Sequence, residues 1–571
     1  MRKPFRIPLL YNTLVILAIL LFAFPAKADT VGDRHSFFVD PSYDIRNRSQ
    51  IDATMLLESA RAYFYVEDIY WNNLNVASQQ RFRTLIDGLS VAFNQTIYPI
   101  ETAAFGSEPN PGIDGDPHIT ILVTSMKSTI GGYFDTSNER SKSEIPTSNA
   151  REMIAINANG MSDLQRMAAF VAHEFQHLIS YNQKELLQNV TDDVWINELR
   201  SEYAITLAGY NMPYEGSTLE RRAQTFLQTP TDSLTEWKNL LSDYSAIDIF
   251  GEYLLEHWGN RVIENSVRSG RVGIPSLDVP FKDVFTNWLV ATILNDTTRN
   301  PLFGYTRPEL RGLRVSPTVL AVPAQGSLAI QADLTDWQPQ WYDLQSLAPS
   351  DQKILVLKFT SSSLGSFQVP YLLGKSDGNY ELKTVDFLQG GDQIIIPNIG
   401  TDITRVIVMP FKKDKLSGFG SSEPTVDLEL TVTRTAVMPT PAPVVIVSPA
   451  QFNLGEGDFI RAEGDYNVYI INDFGYKRLV LSPAICLLYK HLGARGCFDA
   501  VKVVKLEVRD AFRTSNYYAN GETNDGKIFL LEITGEDSAI LKEEIFSGDI
   551  NSIFIFNTRE QKSYPLFSST Q

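Results

Sequence analysis

The sequence predicts a multidomain chain: an α+β domain over residues 29–311, an all-β sandwich-like domain over 312–436, a proline-rich linker at 437–448 and a small α/β C-terminal module over 449–571. Three observations predict this. Apolar residues recur at helical spacing through most of the first three hundred residues, then from about Gly312 to Ala436 the period changes to two. The run Met438–Pro443 (MPTPAP) is semi-rigid linker text. At 571 residues and 43% hydrophobic, the chain is long enough for several cores.

Residues 1–28 read as an export segment. Arg2, Lys3 and Arg6 form a positive region, Thr13–Phe24 is apolar, and Ala26-Lys27-Ala28 offers a small-x-small cleavage pattern that leaves Asp29 as the new N-terminus. An uncleaved anchor is the rival, because Ile7–Phe24 nears the lower limit for a span; Pro8, Asn12 and the cleavage pattern favour removal. No later segment is long and apolar enough to cross a membrane.

After it come strands at Ala62–Val66, Ile119–Val123 and Met153–Asn157, and a helix over Ser78–Gln95 with Phe82, Leu85, Ile86, Leu89 and Phe93 on one face. In the turn-rich stretch Pro109–Pro117, Asp114 and Asp116 invite a calcium reading, but no full loop of oxygen ligands is spelled out, so a solvated turn is expected.

Chemistry concentrates in the predicted helix Ser162–Lys184, capped by Ser162 and Gln165 and carrying the stripe Met167, Phe170, Val171, Phe175, Leu178 and Ile179. It contains His173-Glu174-Phe175-Gln176-His177. Two histidines four apart project from one helix face, which suits a tetrahedral zinc with one position left to water. Glu174, about 100° round the helix, can act as a base without joining the metal's shell. The same string also occurs by chance on amphipathic helices, with both histidines as surface residues. A second helix, Asp193–Tyr210, carries Glu198 and Glu202 on one face and can return a carboxylate to the imidazoles; spacing alone does not choose between them. Further on, Ser233–Leu255 reads as helix and offers Tyr244 and His257 as donors to a developing oxyanion. Either is equally a packed side chain with a wet polar tip. Trp258 and Trp288 are expected in the core.

These segments resemble a gluzincin zinc metallopeptidase of the hyicolysin-like branch. The resemblance rests on His-Glu-x-x-His, on Asn197-Glu198, Ser201-Glu202 and Tyr203-Ala204, and on Tyr244-Ser245-Ala246, Phe250, Tyr253 and His257-Trp258-Gly259. It spans roughly residues 50 to 270 and is loose outside the helices. Where the branch usually reads NEGLSEYA, this chain has Leu199 and Arg200, and Leu199 stands in place of a glycine at a helix contact. The resemblance implies a zincin-like peptidase fold for the first domain and Zn2+ on His173, His177 and Glu198. It further implies Glu174 as catalytic base, Tyr244 as oxyanion donor, Glu202 behind His173, and an edge strand at Gly131–Phe134 to which a peptide adds.

The β-region, with strands at Lys353–Phe359, Gln393–Pro397, Arg405–Pro410 and Val426–Thr433, shows no titratable cluster and is expected to brace the peptidase. The C-terminal module, with strands at Val468–Ile471 and Ile528–Ile533 and a helical stretch near Ser482–Leu492, is read as a contact to the cell envelope. A net charge of −17 argues against nucleic acid. Cys486 and Cys497, the two cysteines, either pair or stay as buried thiols. The expectation is a secreted bacterial zinc-dependent endopeptidase acting on proteins or peptides. The alternative is an exported adhesion or envelope-binding protein that keeps an inactive peptidase fold as a scaffold; the intact Glu174 speaks against it.

Overall fold

A computed structural model describes residues 28–160, 163–345, 347–362, 366–388, 392–438, 447–463, 467–488, 500–523, 525–535, 538–544, 546 and 550–567. The export segment up to residue 27, most of the linker, Cys497 and part of the expected helix near 482–492 lie outside the described residues. The molecule is a multidomain α+β protein with several sheets and one helical region.

The first sheet has six strands: β1 (Arg34–Phe38), β2 (Gln50–Glu58), β3 (Ala62–Glu67), β4 (Ile119–Thr124), β5 (Gly132–Phe134) and β6 (Met153–Asn157). Their order is β1-β2-β3-β4-β6-β5. β3, β4 and β6 run parallel and are buried along their whole length, which is why AYFYVE, ITILVT and MIAIN read as near-continuous apolar runs. β5 closes the sheet as an antiparallel edge, Gly132 opposite Ile156. One face of this sheet carries Phe37, Tyr65, Leu122 and Met153. The other packs Phe64, Ile121 and Ile154 on the helical region.

The expected helix at 78–95 is present as Val76–Ala92, capped by Asn75 and continued by a π-turn at Phe93–Ile97. The motif helix spans Leu164–Ser180. Its cap is Asp163, whose carboxylate accepts the Gln165 and Arg166 N–H groups; Ser162, expected to cap with Gln165, lies outside the described residues. Met167, Val171, Phe175, Leu178 and Ile179 are buried as the stripe predicts, Phe170 is half-buried, and most other positions are buried too, because the helix lies between the sheet and further helices. The second site helix is Val194–Leu207. The expected helix at 233–255 begins only at Leu241 and runs to Trp258. Asp243 explains the late start, since its carboxylate accepts the Lys238 and Leu240 N–H groups and turns the preceding chain out of helix.

In the β-region, a four-stranded sheet (Ser327–Leu334, Ile354–Thr360, Asp392–Ile396, Val426–Thr435) and a mainly antiparallel sheet containing Ser366–Lys375, Tyr380–Leu388 and Ile403–Val408 enclose one apolar core. The helical core does not stop at residue 311. Trp337, Trp341, Phe411 and Phe419 belong to it, against Phe281 and Phe285 of the helix Phe281–Leu294. Trp288 is fully buried there, and Trp258 is half-buried at its edge. The C-terminal region holds two five-stranded sheets with short helices such as Pro483–Cys486 and Leu506–Ala511. Cys486 is disulfide-bonded. Among the described residues, no helix is long and apolar enough to cross a membrane.

Candidate metal centre

The motif helix and the Val194–Leu207 helix pack together and bring three donor atoms to one point. His173 Nε2 lies 3.1 Å from Glu198 Oε2 and 3.2 Å from His177 Nε2, and His177 Nε2 lies 3.5 Å from the same carboxylate oxygen. Donors on a tetrahedral ion with bonds of 2.0–2.1 Å are separated by about 3.3 Å, the spacing seen here.

The outer ring nitrogens explain the orientation. His177 Nδ1 faces Ser201 Oγ at 3.2 Å and Asn197 Oδ1 at 3.4 Å. Ser201 gives its own proton to Gln176 Oε1 at 2.8 Å, so it accepts from the ring. His173 Nδ1 faces Glu202 Oε1 at 3.6 Å. With protons on both Nδ1 atoms, two Nε2 lone pairs and a carboxylate point at each other, an arrangement that a bound cation stabilises. Burial opposes the charged form of His173, yet Glu198, Glu174 and Glu202 outweigh it and raise its pKa to about 9. Burial likewise works against the Glu198 carboxylate, and the two imidazoles overcome it and hold its pKa far below the usual range. Within the described residues, His173, His177 and Glu198 are the one group of three or more such side chains placed to hold a metal, and their donor types suit zinc.

Glu174 is buried on the neighbouring face. Burial raises its pKa, while the positive charge of His173 and His177 pulls it back. Its wall is Gly132 of β5, where a Cβ would fall 2.9 Å from Glu174 Cγ and 2.7 Å from the Ala155 carbonyl oxygen. Tyr244 lies with its ring centroid 6.3 Å from that of His173, and its hydroxyl donates to Asn239 Oδ1 at 3.0 Å. His257 is thirteen residues further along the same helix, roughly 20 Å of rise. It hydrogen-bonds the Gly304 carbonyl at 3.0 Å, away from the triad.

Three partners escaped the sequence reading. Arg222, on the helix Thr218–Gln228, donates to Glu202 at 2.6 Å and lies 4.6 Å above the Tyr244 ring, so one guanidinium ties both together. Tyr43 reaches in from the loop after β1; burial first, then the charges of Asp40, Glu174 and Glu198, raise its phenol. Ser201 stands in the sequence only as part of the Ser201-Glu202 motif, and its contact with His177 marks its role. No spacing signal announces Arg222 or Tyr43, because both arrive from distant segments. The departures from the branch's text are accommodated. Leu199 packs over Gly251, where a Cβ would stand 3.8 Å from its Cγ, and Arg200 is buried against Asp192 and Ser266.

No family model matches the chain. It is 28% identical over 186 residues to the neutral metalloprotease ShpI of Staphylococcus hyicus, an alignment covering 28% of this chain and 40% of that protein. The chain therefore spans well under half the length of this curated relative. Among solved structures, a Legionella pneumophila aminopeptidase A in complex with aspartic acid is similar at a TM-score of 0.26 and 11% identity, over 65% of this chain and 36% of that one. A crystal structure of PirA gives a TM-score of 0.13 and 9% identity, over 20% of this chain and 95% of that one. Scores this low carry no argument. The likeness to a neutral metalloprotease, together with the His173, His177 and Glu198 cluster, supports a zinc metallopeptidase family.

Proposed function

We propose that the chain is a secreted zinc-dependent endopeptidase of the hyicolysin-like kind, with His173, His177 and Glu198 holding the metal. One observation carries this reading: two imidazole Nε2 atoms and a carboxylate oxygen converge at tetrahedral spacing beside a buried glutamate. Bound there, zinc supplies Lewis acidity, polarising a peptide carbonyl and bringing the pKa of a water to about 7.

The chain's own residues do the rest. Glu174, made more basic by burial, takes the proton of the attacking water and passes it to the leaving amine nitrogen. In this reading Tyr244, tied to Arg222, swings its hydroxyl from Asn239 to the oxygen that gains charge. Glu202 holds the His173 tautomer. β5 has no partner strand on its outer side within the described sheet, so a substrate backbone can add there as a seventh strand. The export segment carries the enzyme out of the cytoplasm, and the C-terminal module makes its contact with the envelope.

The test is metal analysis of the purified full chain with a peptide-cleavage assay. One zinc per chain, chelator-sensitive cleavage and a zinc-loaded but inactive Glu174→Gln variant are expected. Zinc-loaded wild type that cleaves nothing in a broad peptide mixture would favour the scaffold reading.

A further inference from the structure

Arginines gather beside the candidate centre, on the side of Glu174 that faces the start of the motif helix. Arg166, Phe170 and Glu174 follow one another at steps of four and share one face of that helix. β5 and the residue before it lie against this face: a Cβ on Gly131 would fall 2.6 Å from Phe170 Cε1, as one on Gly132 would meet Glu174 Cγ at 2.9 Å. Phe170 is half-buried there, and the exposed Arg166 holds its guanidinium carbon 5.5 Å from the centre of the Phe170 ring.

Two further arginines come from the helix Thr218–Gln228. Its first turn and that of the motif helix are tied to one loop. Gln165 donates to the Tyr210 and Met212 carbonyls at 3.2 and 2.8 Å, and Asn211 Oδ1 accepts the Leu219 N–H at 3.0 Å. Arg222 is engaged by Glu202 and the Tyr244 ring. Arg221 is half-buried and donates to the Gly216 carbonyl at 2.7 Å and to Thr218 Oγ1 at 3.0 Å. Burial first, then the charges of Arg166 and Arg222, weaken the hold of its guanidinium on its proton, with Glu202 and Glu220 acting the other way. Glu220 accepts the Gly216 N–H and the Gln224 amide. Among the described residues, neither Arg166 nor Arg221 has a carboxylate within ion-pair distance. Arg48, Arg200 and Arg307 show the contrast, since each is held by a buried acid: Asp44, Asp192 and Glu252. In a chain of net charge −17, two neighbouring guanidiniums left without such a partner beside a cleft are placed for an acid from outside.

We propose that Arg166 and Arg221 form a cationic subsite for the side-chain carboxylate of an aspartate or glutamate next to the scissile bond, making acidic peptides the substrate class; this rests on the peptidase reading above. A peptide added to β5 passes Gly132 at Glu174 and Gly131 at Phe170. Phe170 precedes Glu174 by one helical turn, about 5.4 Å, which the side chain of a residue next to the bond can span. The Phe170 ring takes its methylene stem, and the planar forks of the two guanidiniums take its carboxylate. A lysine in the same place meets like charge and is rejected.

The experiment uses the zinc-loaded full chain. Profiling on a mixed peptide library should show aspartate and glutamate enriched at one of the two positions that flank the cleaved bonds. For a peptide pair alike except for glutamate or glutamine at that position, kcat/KM should favour glutamate about tenfold, mostly through KM. Arg166→Gln and Arg221→Gln should each lower this ratio severalfold, and Arg221→Glu should turn the preference towards lysine. In parallel, the zinc-loaded Glu174→Gln variant is titrated with short blocked alanine peptides carrying one central glutamate or glutamine, so that binding is read without turnover. It should hold the glutamate peptide about tenfold more tightly at low salt and lose that difference as salt rises. Cleavage without acidic enrichment, or a ratio unmoved in folded Arg166→Gln and Arg221→Gln proteins, would overturn the subsite and leave the peptidase reading standing. Absence of all cleavage would count against the peptidase reading, and the titration then decides the subsite alone: equal affinity for the two peptides would overturn it.

Discussion

Phe285 and Phe411 meet edge to face with ring centroids 4.8 Å apart, one on the helix Phe281–Leu294 and the other on the short strand Phe411–Lys412 of the β-region. Trp337 packs at right angles on Phe281, 4.8 Å away, in the same cluster. The helices that frame the candidate centre are therefore floored by the β-region's side chains. A chain ending near 311 should be insoluble or unfolded, whereas one ending near Ala436 should keep its zinc and its activity. Trp337→Ala should cost about 3–5 kcal/mol in denaturant unfolding, since it empties a large buried volume. A folded, active chain ending near 311 would show that the β-region is an independent appendage.

Gly132→Ala tests the wall beside Glu174. The added methyl would meet the Ala155 carbonyl oxygen at 2.7 Å and Glu174 Cγ at 2.9 Å, and the backbone oxygen cannot step aside. β5 or Glu174 must move, so kcat should fall by about two orders of magnitude for a displacement near 1 Å, while zinc content stays whole. Unchanged kinetics would mean that the edge strand is freer than its packing suggests.

Glu101 provides a pH test outside the candidate metal centre. It is fully buried, neither oxygen has a partner, and burial alone raises its pKa well above 4.5. The folded protein therefore keeps this proton at pH values where the unfolded chain has lost it. Its contribution is unfavourable above the unfolded pKa and grows with rising pH. Glu101→Gln should raise Tm at pH 8 and lose that advantage near pH 4.5. An equal Tm difference at both pH values would show that the carboxyl finds a partner in solution.

Much of this was legible in the chain. His173 and His177 announce themselves by spacing, Met153–Asn157 by a continuous apolar run, and β5 only through the family resemblance at Gly131–Phe134. Local signals failed where a side chain acts across distance. Asp163 caps the motif helix through its carboxylate, and Asp243 delayed a helix whose apolar pattern begins earlier. Arg222 and Tyr43 were invisible, because each depends on segments twenty or more residues apart in sequence. The shared core around Phe285 and Phe411 was missed for the same reason: a change of hydrophobic period marks a change of element, and does not show whether the two elements bury each other.

Glu202 and Glu198 share one helix face, and their surroundings separate their roles. Glu198 Oε2 faces both Nε2 atoms, at 3.1 and 3.5 Å. Glu202 Oε1 faces the outer nitrogen of His173 at 3.6 Å and is held by Arg222 at 2.6 Å. Removing Glu198 takes away a metal donor, so Glu198→Ala should be zinc-depleted and inactive. Removing Glu202 frees the His173 ring to turn and leaves the half-buried Arg222 without its partner, so Glu202→Ala should keep zinc with affinity or activity lowered about 10 to 100-fold. Arg222→Ala should share part of that loss, because the same guanidinium sits on the Tyr244 ring. A double variant, Glu202→Ala with Arg222→Ala, should then lose less than the sum of the two, since each single change already breaks their pair. Zinc retained by Glu198→Ala but lost by Glu202→Ala, in proteins shown to be folded, would reverse the assignment and make Glu202 the third ligand.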